Sequence, residues 1–225
     1  MSKKTLILIL FYCMGTWMLQ PIVDAKVESD VKWKTVYEEN FESQDEGTTP
    51  KDFFVLDGEF KVISKEGRKC LSLSGNPVGE HGFLFGPRYR EGDINLSFSC
   101  LGAFKSRRHN VFAGALGGMR GFAFRINPSS QKVLFFKSEE QILEGDIKWS
   151  SSKWMKIQLK AIPDPTTKQT LINLVVSDEV SSGSLVQKSK FILDEPLSSG
   201  RSILWGFSYA GEQMFWDNLL IRFRN

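Results

Sequence analysis

Apolar and polar side chains alternate along almost the whole of this 225-residue chain. That period of two limits its fold more than any other feature, because successive side chains on a strand point to opposite faces. The plainest case is 93–100, with Ile94, Leu96, Phe98 and Cys100 on one side and Asn95, Ser97 and Ser99 on the other. Segment 154–161 sets Met155, Ile157, Leu159 and Ala161 against Lys156, Gln158 and Lys160. The last, 215–223, sets Phe215, Asp217, Leu219, Ile221 and Phe223 against Trp216, Asn218, Leu220 and Arg222. Shorter expected strands are 33–38, 59–63, 69–74, 82–85, 110–116, 121–126, 132–137, 169–177, 185–192 and 202–209. At 41% hydrophobic and 24% charged, the chain has apolar surface enough for a core, which excludes a disordered polypeptide.

Turn chemistry separates these runs: Asp57-Gly58, Glu66-Gly67, Gly75-Asn76-Pro77, Glu91-Gly92, Asn127-Pro128-Ser129 and Pro163-Asp164-Pro165. Every proline after Pro21 falls outside the expected strands, as ladder hydrogen bonding requires. Only residues 139–144 suggest a turn of helix. With no repeat and no long linker, the expectation is one all-β domain: a two-sheet antiparallel jelly-roll sandwich, larger than a seven-stranded sandwich of ~100 residues.

Residues 1–25 read as a leader. Lys3 and Lys4 precede an apolar run from Leu6 to Leu19, Pro21 breaks it, and Val23 and Ala25 suit a cleavage site. The run is shorter than the ~20 residues a membrane span needs, so no stable membrane insertion is expected after cleavage, and the product is secreted or periplasmic. The domain then runs from residue 26 to 225. Removing Lys3, Lys4 and Asp24 takes 29 basic and 26 acidic residues to 27 and 25. That net +2 gives no reason to expect a nucleic-acid partner. Cys70 and Cys100 remain, and in an exported protein they are either a disulfide or two buried thiols.

Three segments carry a family resemblance. Asn40-Phe41-Glu42 leads through Thr49-Pro50 to 54–62, a strand pair across a glycine turn. Trp154 heads the strand with Ile157, Leu159 and Ala161. Trp205-Gly206-Phe207 and Trp216-Asp217-Asn218-Leu219-Leu220-Ile221 stand as a closing hairpin. In this order the chain resembles the concanavalin A-like, laminin-G-like secreted β-sandwiches. Within them it is most similar to the 3-keto-glycoside hydrolase group of bacterial exported domains. The resemblance implies two curved antiparallel sheets and often carbohydrate recognition, with catalysis only in some branches. It also suggests a structural calcium bridging the chain ends, for which Glu42 and Asp217 are the candidate ligands, with backbone carbonyls completing an oxygen shell.

Catalytic motifs are few. Retaining glycosidases of this fold carry paired acids on one strand, since acid and nucleophile must stand ~5–5.5 Å apart. The nearest groups here, Glu139-Glu140 and Glu144-x-Asp146, fall in an expected loop. No Gly-x-Ser-x-Gly, His-Glu-x-x-His or phosphate loop is present, and the only histidines are His81 and His109. No catalytic set is assigned.

Strand 121–126 offers a binding face. Phe122, Phe124 and Ile126 point one way; Gly121, Ala123 and Arg125 point the other. In 203–210, Ile203, Trp205, Phe207 and Tyr209 are expected in the core, and Leu204, Gly206, Ser208 and Ala210 outside. Small residues on an outer face leave a groove that a flat ligand can enter, with Arg125 projecting into it and Arg120 and Trp149 on its rim. The basic run Lys105, Arg107, Arg108 and His109 is a second place for an anionic polysaccharide, or a solvated loop. The function expected is a lectin-like domain binding carbohydrate without standard glycosidase catalysis. A glycoside-acting hydrolase and an adhesion or surface-structural domain are the alternatives.

Overall fold

The computed structural model describes residues 32–224 apart from 75–77, 103, 106–107, 150–152, 180–184 and 210–211; side chains at 104, 105, 108 and 185–188 are likewise not described. The expected leader and, apart from His109, the side chains of the basic run Lys105, Arg107, Arg108 and His109 therefore lie outside the described residues. In chain order the strands begin with β1 (Lys34–Glu39), β2 (Phe54–Asp57), β3 (Phe60–Lys65), β4 (Arg68–Leu73), β5 (Gly79–Tyr89) and β6 (Asp93–Gly102). They continue with β7 (Phe104–Lys105), β8 (Arg108–His109), β9 (Val111–Leu116), β10 (Phe122–Asn127), β11 (Lys132–Lys137) and β12 (Glu140–Asp146). The last five are β13 (Met155–Pro163), β14 (Thr170–Asp178), β15 (Leu185–Leu193), β16 (Gly200–Ser208) and β17 (Met214–Arg224). No helix occurs among the described residues.

Two antiparallel sheets form the expected sandwich. The eight-stranded sheet runs β15-β14-β13-β6-β17-β4-β3, with β1 also paired to β17, and the seven-stranded sheet runs β12-β11-β10-β9-β16-β5-β2. Between them lies the core, rich in rings: Phe41, Phe60, Phe83, Phe85, Phe98, Phe112, Phe122, Phe124, Phe135 and Trp216. Edge-to-face pairs such as Phe60–Phe83, 4.9 Å between centroids, fix the rings beyond their area alone. Ile94, Leu96, Phe98 and Cys100 of β6 and Met155, Ile157, Leu159 and Ala161 of β13 all face it, as their alternation requires.

The structure corrects several expectations. The segments around Gly58 are not a hairpin: β2 is the edge of one sheet and β3 the edge of the other, so the glycine turn carries the chain between sheets. The expected closing hairpin fails for the same reason, since β16 and β17 belong to opposite sheets. Residues 140–146 form strand β12, not loop or helix, because they complete the ladder beside β11. Pro87 and Pro163 fall within strands, Pro87 beside a register shift between β5 and β16 and Pro163 at the end of β13.

In β17 a bulge between Asp217 and Leu220 resets the alternation, with Asn218 at φ +52°. Trp216, Leu219 and Ile221 consequently face the core, whereas Phe215 and Asp217 face outward. Cys70 and Cys100 are both buried and unbridged. Cys100 joins the central core and Cys70 the small outer cluster with Leu101, Trp154 and Phe215, so the two thiols lie on opposite faces of the sheet. Burial pushes the Cys70 thiol up to about 12 and raises Cys100 as well, leaving both inert.

Candidate functional site

A groove of about 440 Å³ crosses the outer face of the seven-stranded sheet. Strand register lays out its floor. Ile203, Ala115, Ala123 and Phe136 are cross-strand partners in one row. Gly82, Trp205, Ala113 and Arg125 are partners in the next. Small side chains at Gly82, Ala113, Ala115 and Ala123 sink the floor, and the half-buried rings of Trp205 and Phe136 rise from it. Leu56 on β2 and Met119 in the β9–β10 turn, 45% and 66% exposed, add apolar surface.

Charged groups lie around these rings. Arg125 Nη2 meets Glu80 Oε1 at 3.0 Å, and its guanidinium lies 5.3 Å from the Phe136 centroid. Glu80 is on β5 and Arg125 on β10, three strand spacings or roughly 14 Å apart along the sheet, so both side chains must reach along the groove to meet. Both are partly exposed, and such a pair contributes about 1 kcal/mol or less to stability. Its consequence is geometric: a held guanidinium and a held carboxylate offer a planar donor and an acceptor to a ligand. At the β2 end, His81 Nδ1 lies 3.0 Å from Asp57 Oδ2, with His81 buried and Asp57 exposed. Glu139 stands in the β11–β12 turn at the other end, at φ +74°.

Arg125 and Ala123 line the groove where the alternation of β10 puts them. In β16 the expectation is reversed: Ile203 and Trp205 face the groove, and Leu204 is core. The reason lies beneath the strand. A Cβ on Gly206 would overlap the Met214 side chain, so the small residues of β16 accommodate core bulk and its large ones are left outside. Trp149 is not on the rim. It packs in the core against Phe112, 5.7 Å between centroids, and its backbone N–H donates to Gln131 Oε1 at 3.0 Å. Arg120 is exposed between the lining residues Met119 and Gly121, where its carbonyl accepts from Ser138 Oγ at 3.2 Å. Sequence reasoning missed Trp205, Phe136, Glu80, Asp57 and His81, which only register brings together. The one signal for Trp205 was an aromatic at every second position of its strand.

Glu42 and Asp217 are held by neighbouring residues of β4, Lys69 and Arg68 respectively. The positive charge beside Asp217 is Arg68. Its Nη1 lies 3.2 Å from Asp217 Oδ2 and its Nη2 3.0 Å from Glu179 Oε2, and its guanidinium stacks 3.9 Å from the Trp154 centroid. Glu42 Oε1 accepts from the Lys69 backbone N–H at 3.0 Å. Among the described residues no three His, Cys, Asp or Glu side chains cluster as a metal site. These residues do not fit a calcium shell, because a guanidinium already neutralises the carboxylate meant to hold the ion. Burial raises Asp217 to about 6 despite Arg68.

No family model matches the chain, and no curated protein matches its sequence. Solved structures do. The carbohydrate recognition domain of Emp47p superposes with a TM-score of 0.59 at 8% identity, covering 86% of this chain and 97% of that one. Winged bean acidic lectin, complexed with methyl-α-D-galactose, gives 0.56 at 12% identity over 85% and 100%. The potassium-bound form of the Emp46p carbohydrate recognition domain gives 0.54 at 11% over 84% and 98%. Identity this low carries the fold and nothing finer, and the fold is the concanavalin A-like sandwich of these lectins.

Proposed function

We propose that this is a lectin-like domain that binds carbohydrate in the groove of the seven-stranded sheet, acting outside the cytoplasm once residues 1–25 are cleaved. The observation that carries the reading is the pairing of small floor residues with an upright aromatic, Trp205, beside the fixed Arg125–Glu80 pair. A sugar ring has an apolar C–H face and an equatorial rim of hydroxyls. The indole accepts the first, and the guanidinium and carboxylate serve the second. Because Arg125 is already countered by Glu80, with Asp57 and Glu139 nearby, the groove suits neutral sugars better than anionic ones. The solved relatives of this fold, one of them holding a galactose derivative, support the same reading.

A glycan array on wild type and Ala123→Trp tests it. Ala123 lies half-buried on the floor, so tryptophan there fills open groove rather than core. Binding by wild type and its loss in a folded variant are the expected results. A variant that binds as wild type does would move the site elsewhere. Hydrolysis of 3-keto-glycosides is the second reading. It is favoured by His81 held by Asp57 next to Glu80, an arrangement able to move a proton in the same groove. Release of the free 3-keto sugar and the aglycone from a 3-keto-glycoside and water, abolished by His81→Gln, would decide for it.

A further inference from the structure

The direction of the groove is set by the topology. Its lining comes in sequence from β2 (Leu56, Asp57), β5 (Gly82), β16 (Trp205), β9 (Ala115), β10 (Ala123) and β11 (Phe136). Six neighbouring strands span five spacings, about 24 Å along the sheet. Beyond Phe136 it reaches Glu139, whose turn closes the last hairpin. The Arg125–Glu80 pair joins β10 to β5 and so runs along this direction, fencing one side rather than crossing the path. Met119, in the turn that follows β9, stands toward the other side. Between the rings of Trp205 and Phe136 the floor is made of the small residues Ala115 and Ala123, with Gly82 on the β2 side.

We infer that the groove takes the interior of a linear, neutral glycan laid across the strands, several consecutive sugar rings at once, rather than a single terminal sugar. This rests on the carbohydrate-binding reading and adds to it the class of ligand. A pocket for one chain end needs a wall that stops the chain, and the aligned small residues provide none. Trp205 is placed mid-sheet, where an internal ring would stack. Leu56 on β2 and Glu139 at the end of β11 lie five strand spacings apart, about 24 Å, which is more than one sugar ring spans.

A different path exists on this face. Trp205 and Phe207 on β16 and Tyr209 just past its end succeed one another, and the last two rings pack edge to face at 5.0 Å. A chain following that line would run parallel to the strand and never reach Glu139.

The test is a length series. Linear cello-, laminari-, manno-, malto- and xylo-oligosaccharides, from monosaccharide to hexasaccharide, are titrated calorimetrically against the wild type, Leu56→Ser, Glu139→Ala and Tyr209→Ala. One series is expected to tighten at least tenfold from disaccharide to hexasaccharide. Leu56→Ser and Glu139→Ala should each flatten that gain, the hexasaccharide losing more than the disaccharide, and thermal melts should show both variants folded. Binding that does not change with length overturns the inference and leaves a terminal-sugar lectin. A length dependence lost in Tyr209→Ala but kept in Glu139→Ala overturns it in favour of the path along β16. No binding by any oligosaccharide or by the array overturns this inference and the carbohydrate reading together.

Discussion

Arg68 and Arg125 are both paired arginines, and their surroundings give them opposite roles. Arg68 is enclosed by Trp154, Glu179 and the buried carboxylate of Asp217. Removing it leaves Asp217 buried and uncompensated, so Arg68→Ala should lower unfolding free energy by about 3 kcal/mol in urea titrations. Arg68→Lys should recover only part of that, since an ammonium cannot form the fork or the stack. Asp217 adds a pH dependence whose sign is fixed by burial. Its carboxyl titrates at 3.8 when unfolded and at about 6 when folded. Between those values the fold holds a proton that the unfolded chain has released. Its stabilising contribution is therefore full below 3.8 and lost as pH rises to about 6, by about 3 kcal/mol at most. Asp217→Asn should remove that slope; an unchanged slope would place the titration elsewhere. Arg125, by contrast, lies in the groove with exposed partners. Arg125→Ala should leave the melting temperature nearly unchanged while weakening glycan binding about tenfold or more, the effect of losing a charge-assisted hydrogen bond.

Among the elements, strands that keep strict alternation of apolar and polar residues were legible and strands that depart from it were not. β6, β10 and β13 show their core faces in sequence because each apolar residue recurs at every second position. β17 hid its own face, since the bulge at Asn218 shifts the phase midway and no residue type announces it. β16 was read inside out because both of its faces carry apolar residues, and only the crowding of Gly206 against Met214 decides between them. The groove was half legible for the same reason. Ala123 and Arg125 could be read from β10 alone, whereas Glu80 and Phe136 belong to the site only through register. The β9–β10 turn that carries Met119 has a sharper requirement. A Cβ on Gly121 would collide with the Leu116 carbonyl oxygen, a backbone atom that cannot move aside. Gly121→Ala should destabilise by about 3 kcal/mol or more, while Gly145→Ala in β12, where a Cβ would meet only Val133 at an ordinary 3.5 Å, should stay within about 0.5 kcal/mol. Equal effects in urea denaturation would contradict that account of the turn.

At the scale of the molecule, the two sheets divide the work. The eight-stranded sheet covers its outer cluster of Cys70, Leu101, Trp154 and Phe215 with Arg68 and Lys65, and so closes that face. The seven-stranded sheet leaves its outer face open between Leu56 and Met119. Export before folding is the context we propose, and N-terminal sequencing of protein from its native host should begin near Lys26; an intact Lys3-Lys4 terminus would contradict it. The central claim, that carbohydrate binds on the open face, is tested most directly by tryptophan fluorescence. Trp149, Trp154 and Trp216 are buried and Trp33 lies outside the groove against Lys160 and Arg224, whereas Trp205 stands in the groove. Titration with a glycan selected on the array should change the emission saturably, and Trp205→Phe should abolish the change. Saturable binding that leaves the Trp205 emission untouched would show that the groove is not the site.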